Sequence, residues 1–183
     1  MILRRFITGA LLPVAAAITL AFLVQGAVAK PYEVPTGSME PTIRAGDRII
    51  ANRVVYHLRD IRRGDIIVFT PTAAARQSCG DTSTDVPFVK RVIGLPGDTI
   101  QIPVGRREVS VNGELFDVPA AHPNPAQPPT VFTVPAAKLF VMGDNRDDSC
   151  DSHTWSDPYV PVGNVIGQAE IAYWPLRDAT FLK

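Results

Sequence analysis

The sequence has no excess of charge of either sign. Its 183 residues hold 18 Lys and Arg against 18 Asp and Glu, so the formal net charge is zero. A nucleic-acid-binding protein normally carries a basic excess, so nucleic acid is not a predicted partner. Lysine is especially scarce, because 14 of the basic residues are arginines, which stay protonated and cannot act as bases. The four lysines are Lys30, Lys90, Lys138 and Lys183.

Cysteine is equally rare, with only Cys79 and Cys150 in the chain. No Cys-x-x-Cys pair or Cys/His cluster occurs at metal-binding spacing, so a structural zinc site is not predicted. A single disulfide is possible in an oxidising compartment, and two unpaired thiols are the alternative. The Gly-x-Ser-x-Gly motif of the α/β-hydrolases is also missing.

One long uncharged run, residues 6–29, differs from the mixed composition of the rest. A helix of these 24 residues would be about 36 Å long, enough to cross a bilayer. Two arginines precede the run and one lysine follows it, which favours a cytoplasmic N-terminus. We therefore predict a transmembrane anchor in residues 1–30 and one extracytoplasmic domain in residues 31–183. A cleaved signal peptide is the alternative, since Ala27-Val28-Ala29 has the small-x-small pattern.

Beyond the run, short apolar stretches alternate with turn residues, which is typical of β-strands. We predict strands at Arg48–Val55, Asp65–Phe69, Pro87–Ile93, Thr99–Val104, Glu108–Val111, Lys138–Val141 and Val165–Trp174. Asn112-Gly113 favours a tight hairpin turn, and the Pro-rich residues 70–87 and 118–129 are predicted loops. The predicted fold is a mainly β sandwich or barrel behind one N-terminal transmembrane helix.

A serine lies in an unusual setting shortly after the predicted anchor. Ser38 follows Gly37 and precedes Met39-Glu40-Pro41, with the hydroxyl of Thr36 two residues upstream. Glycine lets the backbone approach a bound chain closely, and proline fixes the direction in which the chain leaves. Ser38 is therefore a candidate nucleophile, although a serine in such a setting is more often only a turn residue.

A serine nucleophile needs a base, and Lys90 is a candidate for that role. It lies in the apolar stretch Val86–Ile93, where strand alternation puts it on the same face as Phe88 and Val92. Burial on such a face disfavours the ammonium and can lower a lysine pKa from about 10.4 towards neutrality. The alternative is an edge-strand lysine whose amine reaches water.

Neither the histidines nor the acidic run offers a better candidate. His57, His122 and His153 lack the context of a catalytic triad and are interpreted as surface or packing residues. Taken on its own, the run Asp144–Asp151 favours a calcium site over a solvated loop, because it begins like a calcium-binding EF-hand loop, although the later glycine and glutamate of that loop are missing. Once the run is taken together with the other segments described below, we predict no metal site and no cofactor.

Four segments occur in order behind the predicted anchor: the one around Ser38, residues 64–69, residues 90–98 and residues 143–152. In this combination the chain resembles the type I signal peptidases, which are membrane-bound Ser/Lys endopeptidases. The resemblance implies a serine endopeptidase that cleaves N-terminal signal peptides from exported preproteins after small residues, at Ala-x-Ala sites. It also implies a signal-peptidase-like β catalytic domain with a small β-hairpin insertion at residues 99–138.

The resemblance further implies roles for single residues. Ser38 matches the nucleophile and Lys90 the general base. The Ser38 backbone N–H and the Thr36 hydroxyl match the donors of an oxyanion hole. Met39 matches a position that faces the membrane or lines the substrate groove.

The last motif supplies supporting residues and also departs from the family pattern. Ser149 matches a serine that orients the lysine, and Asp144 and Asp151 match acidic positions that support the site. His153 stands where the family usually has an arginine, and Asp148 where asparagine is more common. These two departures imply that the local packing differs from that of the family.

The implied location is the cell membrane, plasma or inner, with a single span, a cytoplasmic N-terminus and an extracytoplasmic catalytic domain. The implied partners are preprotein signal peptides, the lipid bilayer and a nearby export translocon. Because Ala27-Val28-Ala29 fits the substrate pattern, self-cleavage near Ala29 is a hypothesis. Two alternatives remain open: a maturation peptidase with the same dyad for pilins or another dedicated substrate, and an inactive membrane-anchored β-domain that acts as a binding module.

Overall fold

Strands form in this protein where short apolar runs are separated by turn residues. The computed structural model describes residues 13–17, 28–83, 85–103, 108–117 and 130–182. The strands of this part are β1 (Ala29–Glu33), β2 (Arg48–Asn52), β3 (Ile66–Phe69), β4 (Phe88–Gly94), β5 (Thr99–Ile102), β6 (Val109–Val111), β7 (Glu114–Phe116), β8 (Thr130–Thr133), β9 (Lys138–Met142), β10 (Val160–Pro161), β11 (Val165–Trp174) and β12 (Thr180–Phe181). Two short helices are α1 (Val55–Leu58) and α2 (Ala73–Ser78).

Each of the seven predicted strand ranges overlaps a strand, and the prediction of a mainly β fold is confirmed. Strands β1, β7, β8, β10 and β12 were not among the predicted ranges, because such short strands gain their stability from pairing rather than from pattern. Helix α2 lies inside the predicted loop of residues 70–87. Thr72 is its N-cap residue, whose hydroxyl accepts a hydrogen bond from the Ala75 N–H.

The main sheet is antiparallel and buried on both faces. Its strand order is β1-β2-β11-β3-β4-β9-β10, with β12 paired to β11. In β3, Ile66 and Val68 belong to the core on one face, whereas Ile67 and Phe69 belong to the core on the other. A strand with apolar residues at every position therefore lies in the middle of this sheet, and its neighbour β4 is enclosed in the same way.

A second, four-stranded sheet has the order β7-β6-β5-β8 and is built from residues within the predicted insertion. Its core joins Ile100 and Val111 to Phe140 and Met142 of β9. The predicted hairpin turn is confirmed, because Asn112 and Gly113 have φ values of 54° and 87° and Val111 pairs with Glu114.

Most of the predicted membrane anchor lies outside the described residues. Residues 13–17 are helical, and β1 begins at Ala29. Within the part of the chain that the structure describes, no helix has the length and hydropathy needed to cross a membrane. The predicted boundary after residue 30 falls inside β1, which pairs with β2 along its whole length.

The pairing of β1 argues against the hypothesis of self-cleavage near Ala29. Ala29 pairs with Asn52 and Lys30 with Ala51, whereas a bound substrate must present its backbone to the enzyme. We expect purified full-length protein to give no product that begins at Lys30. Intact-mass measurement of the wild type and Ser38→Ala tests this. A product that begins at Lys30 in the wild type and is missing from the variant would contradict it.

Candidate active site

One large cavity of about 1010 Å³ brings together most of the candidate residues. Four of them line it, namely Thr36, Ser38, Lys90 and Ser149, and Arg146 and His153 line it as well. Asp144 and Asp151 do not line the cavity and are wholly buried. Residues that are 50 or more positions apart in sequence therefore meet at one site.

Ser38 is held in a turn that follows β1, and it is only 7% exposed. The segment after β9 fixes this turn: the Asn145 N–H donates to the Ser38 carbonyl at 3.1 Å, and the Asn145 side chain donates to the Gly37 carbonyl at 3.2 Å. The Thr36 hydroxyl donates to Ser38 Oγ at 3.3 Å. The two hydroxyls are therefore neighbours at the cavity wall.

Lys90 lies on β4, opposite Ile67 of β3, and is 4% exposed. Val92 and Phe88 pack in the same core as Ile67, as strand alternation predicted. Burial lowers the pKa of Lys90 to about 8, although the charges of Asp151, Asp144 and Asp148 raise it. Its Nζ donates to Ser149 Oγ at 3.2 Å. The chain thus holds a lysine that is partly neutral at mildly alkaline pH.

Ser149 and Asp151 form a buried hydrogen-bonded pair next to this amine. Ser149 Oγ donates to Asp151 Oδ2 at 2.5 Å, and the Gly143 N–H donates to the same oxygen at 2.8 Å. Gly143 leaves no room for a side chain, since a Cβ there would lie inside contact distance of Ser149 Oγ and the Ser38 carbonyl. The sequence motif contained Gly143, but nothing in the pattern assigned it this close approach.

Asp144 is held by Arg91, the residue after Lys90. Arg91 Nε and Nη2 donate to the two carboxylate oxygens at 2.8 and 2.7 Å, and the Thr42 hydroxyl donates to Oδ2 at 2.5 Å. This bidentate pair connects β4 to the segment after β9 and to the chain that follows Ser38. Sequence reasoning missed Arg91, whose position beside Lys90 in an apolar run was the available signal. Among the described residues, no three His, Cys, Asp or Glu side chains are placed to hold a metal ion.

A disulfide joins Cys79 to Cys150, which resolves the alternatives that the sequence left open. Cys79 follows α2, and Cys150 lies between Ser149 and Asp151. The Trp155 indole N–H also points to Cys79 Sγ, at 3.2 Å. The bond therefore ties the predicted loop of residues 70–87 to the segment that carries the supporting residues.

One prediction about a single residue is wrong. Met39 neither faces outward nor lines the cavity, because it is 0% exposed and packs with Val34 and Ile43 in the core of the main sheet. Of the two interpretations of His153, surface or packing residue, its 4% exposed side chain fits the second, and its Nδ1 also lies 2.5 Å from Asp151 Oδ1. His57 is exposed at α1, and His122 lies outside the described residues.

The chain is similar in sequence to characterised peptidases. A family model described as "Signal peptidase, peptidase S26" matches residues 7–174. "Signal peptidase I" of Leptolyngbya laminosa is 40% identical over 160 residues, which cover 87% of this chain and 76% of the relative. "Thylakoidal processing peptidase 1, chloroplastic" of Arabidopsis thaliana is 35% identical over 87% of this chain and 46% of its own. "Signal peptidase I" of Bacillus amyloliquefaciens is 30% identical over 88% of this chain and 82% of its own.

The close approach at Gly143 gives a first test of the site. We expect Gly143→Ala to lower hydrolytic activity by about 10²-fold or more, since the new methyl group must displace Ser149 or the Ser38 turn. Gly163→Ala is the matched control, because its Cβ would meet nothing within 4 Å. Initial rates and thermal unfolding of both variants provide the measurement. Equal activity in the two variants would contradict the geometry.

The lowered pKa of Lys90 gives a test of stability. Between about pH 8 and pH 10.5 the unfolded chain binds more protons at this lysine than the folded chain does, so the stability of the fold rises with pH in this range. The free-energy cost of burying the charged amine is therefore fully present below about pH 8 and is lost above about pH 10.5. We therefore expect Lys90→Met to raise the free energy of unfolding by about 3 kcal/mol at pH 7. Urea unfolding should show that this gain shrinks as pH rises towards 10. A gain that does not depend on pH would contradict the lowered pKa, and Ser38→Ala serves as the non-titrating control.

Proposed function

Since the chain belongs to the signal peptidase family, peptidase S26, and is a hydrolase that cleaves signal peptides, we propose that Ser38 is its nucleophile and Lys90 its general base. The observation that carries the assignment is the buried Lys90 amine, which lines the same cavity as Ser38. A lysine accepts a proton only when it is neutral, and burial lowers the pKa of Lys90 to about 8. The surroundings of Lys90 therefore suit it to the base rather than to a charged anchor.

The reaction begins when Ser38 Oγ attacks the scissile carbonyl and Lys90 takes the hydroxyl proton. The ammonium then gives this proton to the leaving amine, and an acyl-enzyme on Ser38 remains. A water molecule that loses its proton to Lys90 hydrolyses the ester and releases Ser38. One titrating group thus acts as base and acid in both halves of the reaction.

Two donors near Ser38 suit an oxyanion hole. The Thr36 hydroxyl lies 3.3 Å from Ser38 Oγ, so rotation of its O–H can redirect it to an oxygen bound beside Ser38. The Ser38 backbone N–H lies in a turn that Asn145 fixes, because the Asn145 N–H donates to the Ser38 carbonyl. We propose that these two donors stabilise the negative charge that develops on the carbonyl oxygen. Loss of one such donor typically lowers the reaction rate by about 10²–10³-fold.

Ser149, Asp151 and Asp144 are proposed to hold the lysine and the nucleophile in place. Ser149 accepts an N–H from Lys90, and Asp151 accepts the hydrogen bond of the Ser149 hydroxyl, so the amine has one preferred orientation. Asp144 fixes the segment that carries them through its bidentate pair with Arg91. None of these three groups needs to touch the substrate.

The edge of β4 offers a place for an extended substrate. Phe88 and Val89 pair with β3 on one side, whereas the described pairing with β9 on the other side begins only at Arg91. Phe88 and Val89 also line the cavity. A signal peptide can therefore add as a strand to this free edge, with its scissile carbonyl near Ser38 and small side chains facing the wall.

A membrane anchor in residues 1–30 suits this substrate, because a signal peptide is itself anchored in the bilayer during export. The proposed orientation has a cytoplasmic N-terminus, as the two arginines before the apolar run favour, and an extracytoplasmic domain close to an export translocon. Membership of a peptidase family favours an active enzyme over the alternative of an inactive binding module. Cleavage of several unrelated preproteins would separate a general signal peptidase from one that serves a dedicated substrate.

Cleavage of a preprotein by purified full-length variants tests the proposed dyad. We expect Ser38→Ala and Lys90→Met each to lose at least about 10³-fold in kcat/KM, because each removes a group that acts in the transition state. The wild-type kcat/KM should rise with pH through about 8 as Lys90 loses its proton. Ser110→Ala and Lys138→Met are matched controls outside the cavity. Activity that survives in Ser38→Ala or Lys90→Met would disprove the assignment.

A further inference from the structure

His153 is joined to the Lys90 amine by a continuous series of hydrogen bonds. Lys90 Nζ lies 3.2 Å from Ser149 Oγ, which donates to Asp151 Oδ2 at 2.5 Å. The other carboxylate oxygen, Asp151 Oδ1, lies 2.5 Å from His153 Nδ1. The Asp151 and His153 side chains are 0% and 4% exposed, and His153 lines the same cavity as Lys90.

The proton positions in this series follow from the partners of Asp151. The backbone N–H groups of Gly143 and His153 donate to its two oxygens, at 2.8 and 3.3 Å. A carboxyl group that accepts on both oxygens is held in its ionised form. The Ser149 hydroxyl therefore donates to Asp151, and its lone pairs are left to accept an N–H from Lys90. A neutral Lys90 amine then keeps its own lone pair for another donor.

Protonation of Asp151 would reverse this order. Its O–H would donate to Ser149, Ser149 would donate to the Lys90 lone pair, and the amine could no longer act as a base. Burial raises the pKa of Asp151, but the hydrogen bond and the charge of His153, followed by the charge of Lys90, outweigh burial and lower it. When Lys90 is neutral it offers no charge, and the contribution of His153 then matters most.

The His153 ring contacts Asp151 through Nδ1. Since Asp151 is held as a carboxylate, Nδ1 is the ring nitrogen that donates to it. Nε2 is buried and has no hydrogen-bond partner among the described residues. The charged groups that face this site from neighbouring elements are Lys90 on β4, Asp144, Arg146, Asp147 and Asp148 between β9 and β10, and Asp81 after α2.

We propose that His153 is a positioning residue for the hydrolysis: its Nδ1–H holds Asp151 as a carboxylate and so, through Ser149, keeps the Lys90 lone pair free for the Ser38 proton. This inference rests on the proposed roles of Ser38 and Lys90. It requires an N–H donor at residue 153, whereas a packing role would require only the volume of the ring.

Three variants of the full-length chain separate these two roles. His153→Asn keeps an N–H donor near the place of Nδ1 but is smaller than the imidazole, His153→Leu keeps the bulk and removes the donor, and His153→Arg supplies a donor with a fixed positive charge. We expect His153→Leu to lower kcat by about 10²-fold with little change in KM, since the base loses its orientation. His153→Asn should recover most of this loss. A leucine variant that is as active as the asparagine variant would overturn the proposal.

A direct measurement of the Lys90 titration does not depend on cleavage. The chain has only four lysines, so labelling their ε-carbons with ¹³C gives a simple NMR spectrum in which Lys90→Met identifies the Lys90 signal. We expect its midpoint to fall by about one pH unit in His153→Leu, because a protonated Asp151 no longer attracts the ammonium and the Ser149 hydroxyl then donates to the amine lone pair. In His153→Asn the Lys90 midpoint should return towards the wild-type value. In His153→Arg it should lie below the midpoint of His153→Asn.

An unchanged midpoint in His153→Leu would overturn the proposal. If this variant does not fold, the other two decide, and equal midpoints in His153→Asn and His153→Arg would overturn it. Failure of the Ser38–Lys90 mechanism itself would be seen separately, as cleavage that survives in Ser38→Ala or Lys90→Met. The titration thus tests His153 whatever the outcome of those assays.

Discussion

The site depends on an amine that is kept away from water in the middle of a β-sheet. Lys90 pairs with Ile67 of β3 just before the pairing of β4 with β9 begins at Arg91, and its side chain lies on the same face as the buried core of Ile67 and Val92, where it is 4% exposed. Burial in this place lowers the pKa of Lys90 to about 8. The packing that encloses β4 therefore sets the pKa of the Lys90 amine, and with it the ability of the amine to accept a proton.

The segment between β9 and β10 is organised around β4. Lys90 and Arg91 point to opposite faces of the strand, yet the first contacts Ser149 and the second contacts Asp144 of this one segment. Because the segment is fixed at both points, it cannot shift along β4 without breaking a buried ion pair or uncovering the amine. Asn145 extends this order to Ser38, so one stretch of chain positions both members of the proposed dyad.

The second sheet contributes to the core but not to the cavity. Its strands pack against Phe140 and Met142 of β9, and none of its described residues lines the cavity. The disulfide from Cys79 to Cys150, two residues that line the cavity, holds the chain after α2 against the supporting segment. The proposed chemistry is thus confined to the main sheet and two connections, and the insertion acts as a structural support.

The sequence by itself determined seven of the strands, the hairpin at Asn112-Gly113 and the two reactive candidates. Turn residues, alternation and the scarcity of lysine are local or compositional signals, and Ser38 and Lys90 follow from them together with the resemblance. Only the tertiary structure decided that Met39 is buried, that Cys79 bonds Cys150 and that His153 contacts Asp151. The Lys90–Ser149 and Arg91–Asp144 contacts join residues 59 and 53 positions apart. No local pattern specifies which distant residue a buried polar group will meet, because that depends on how the strands pair and on which groups burial forces to find a partner.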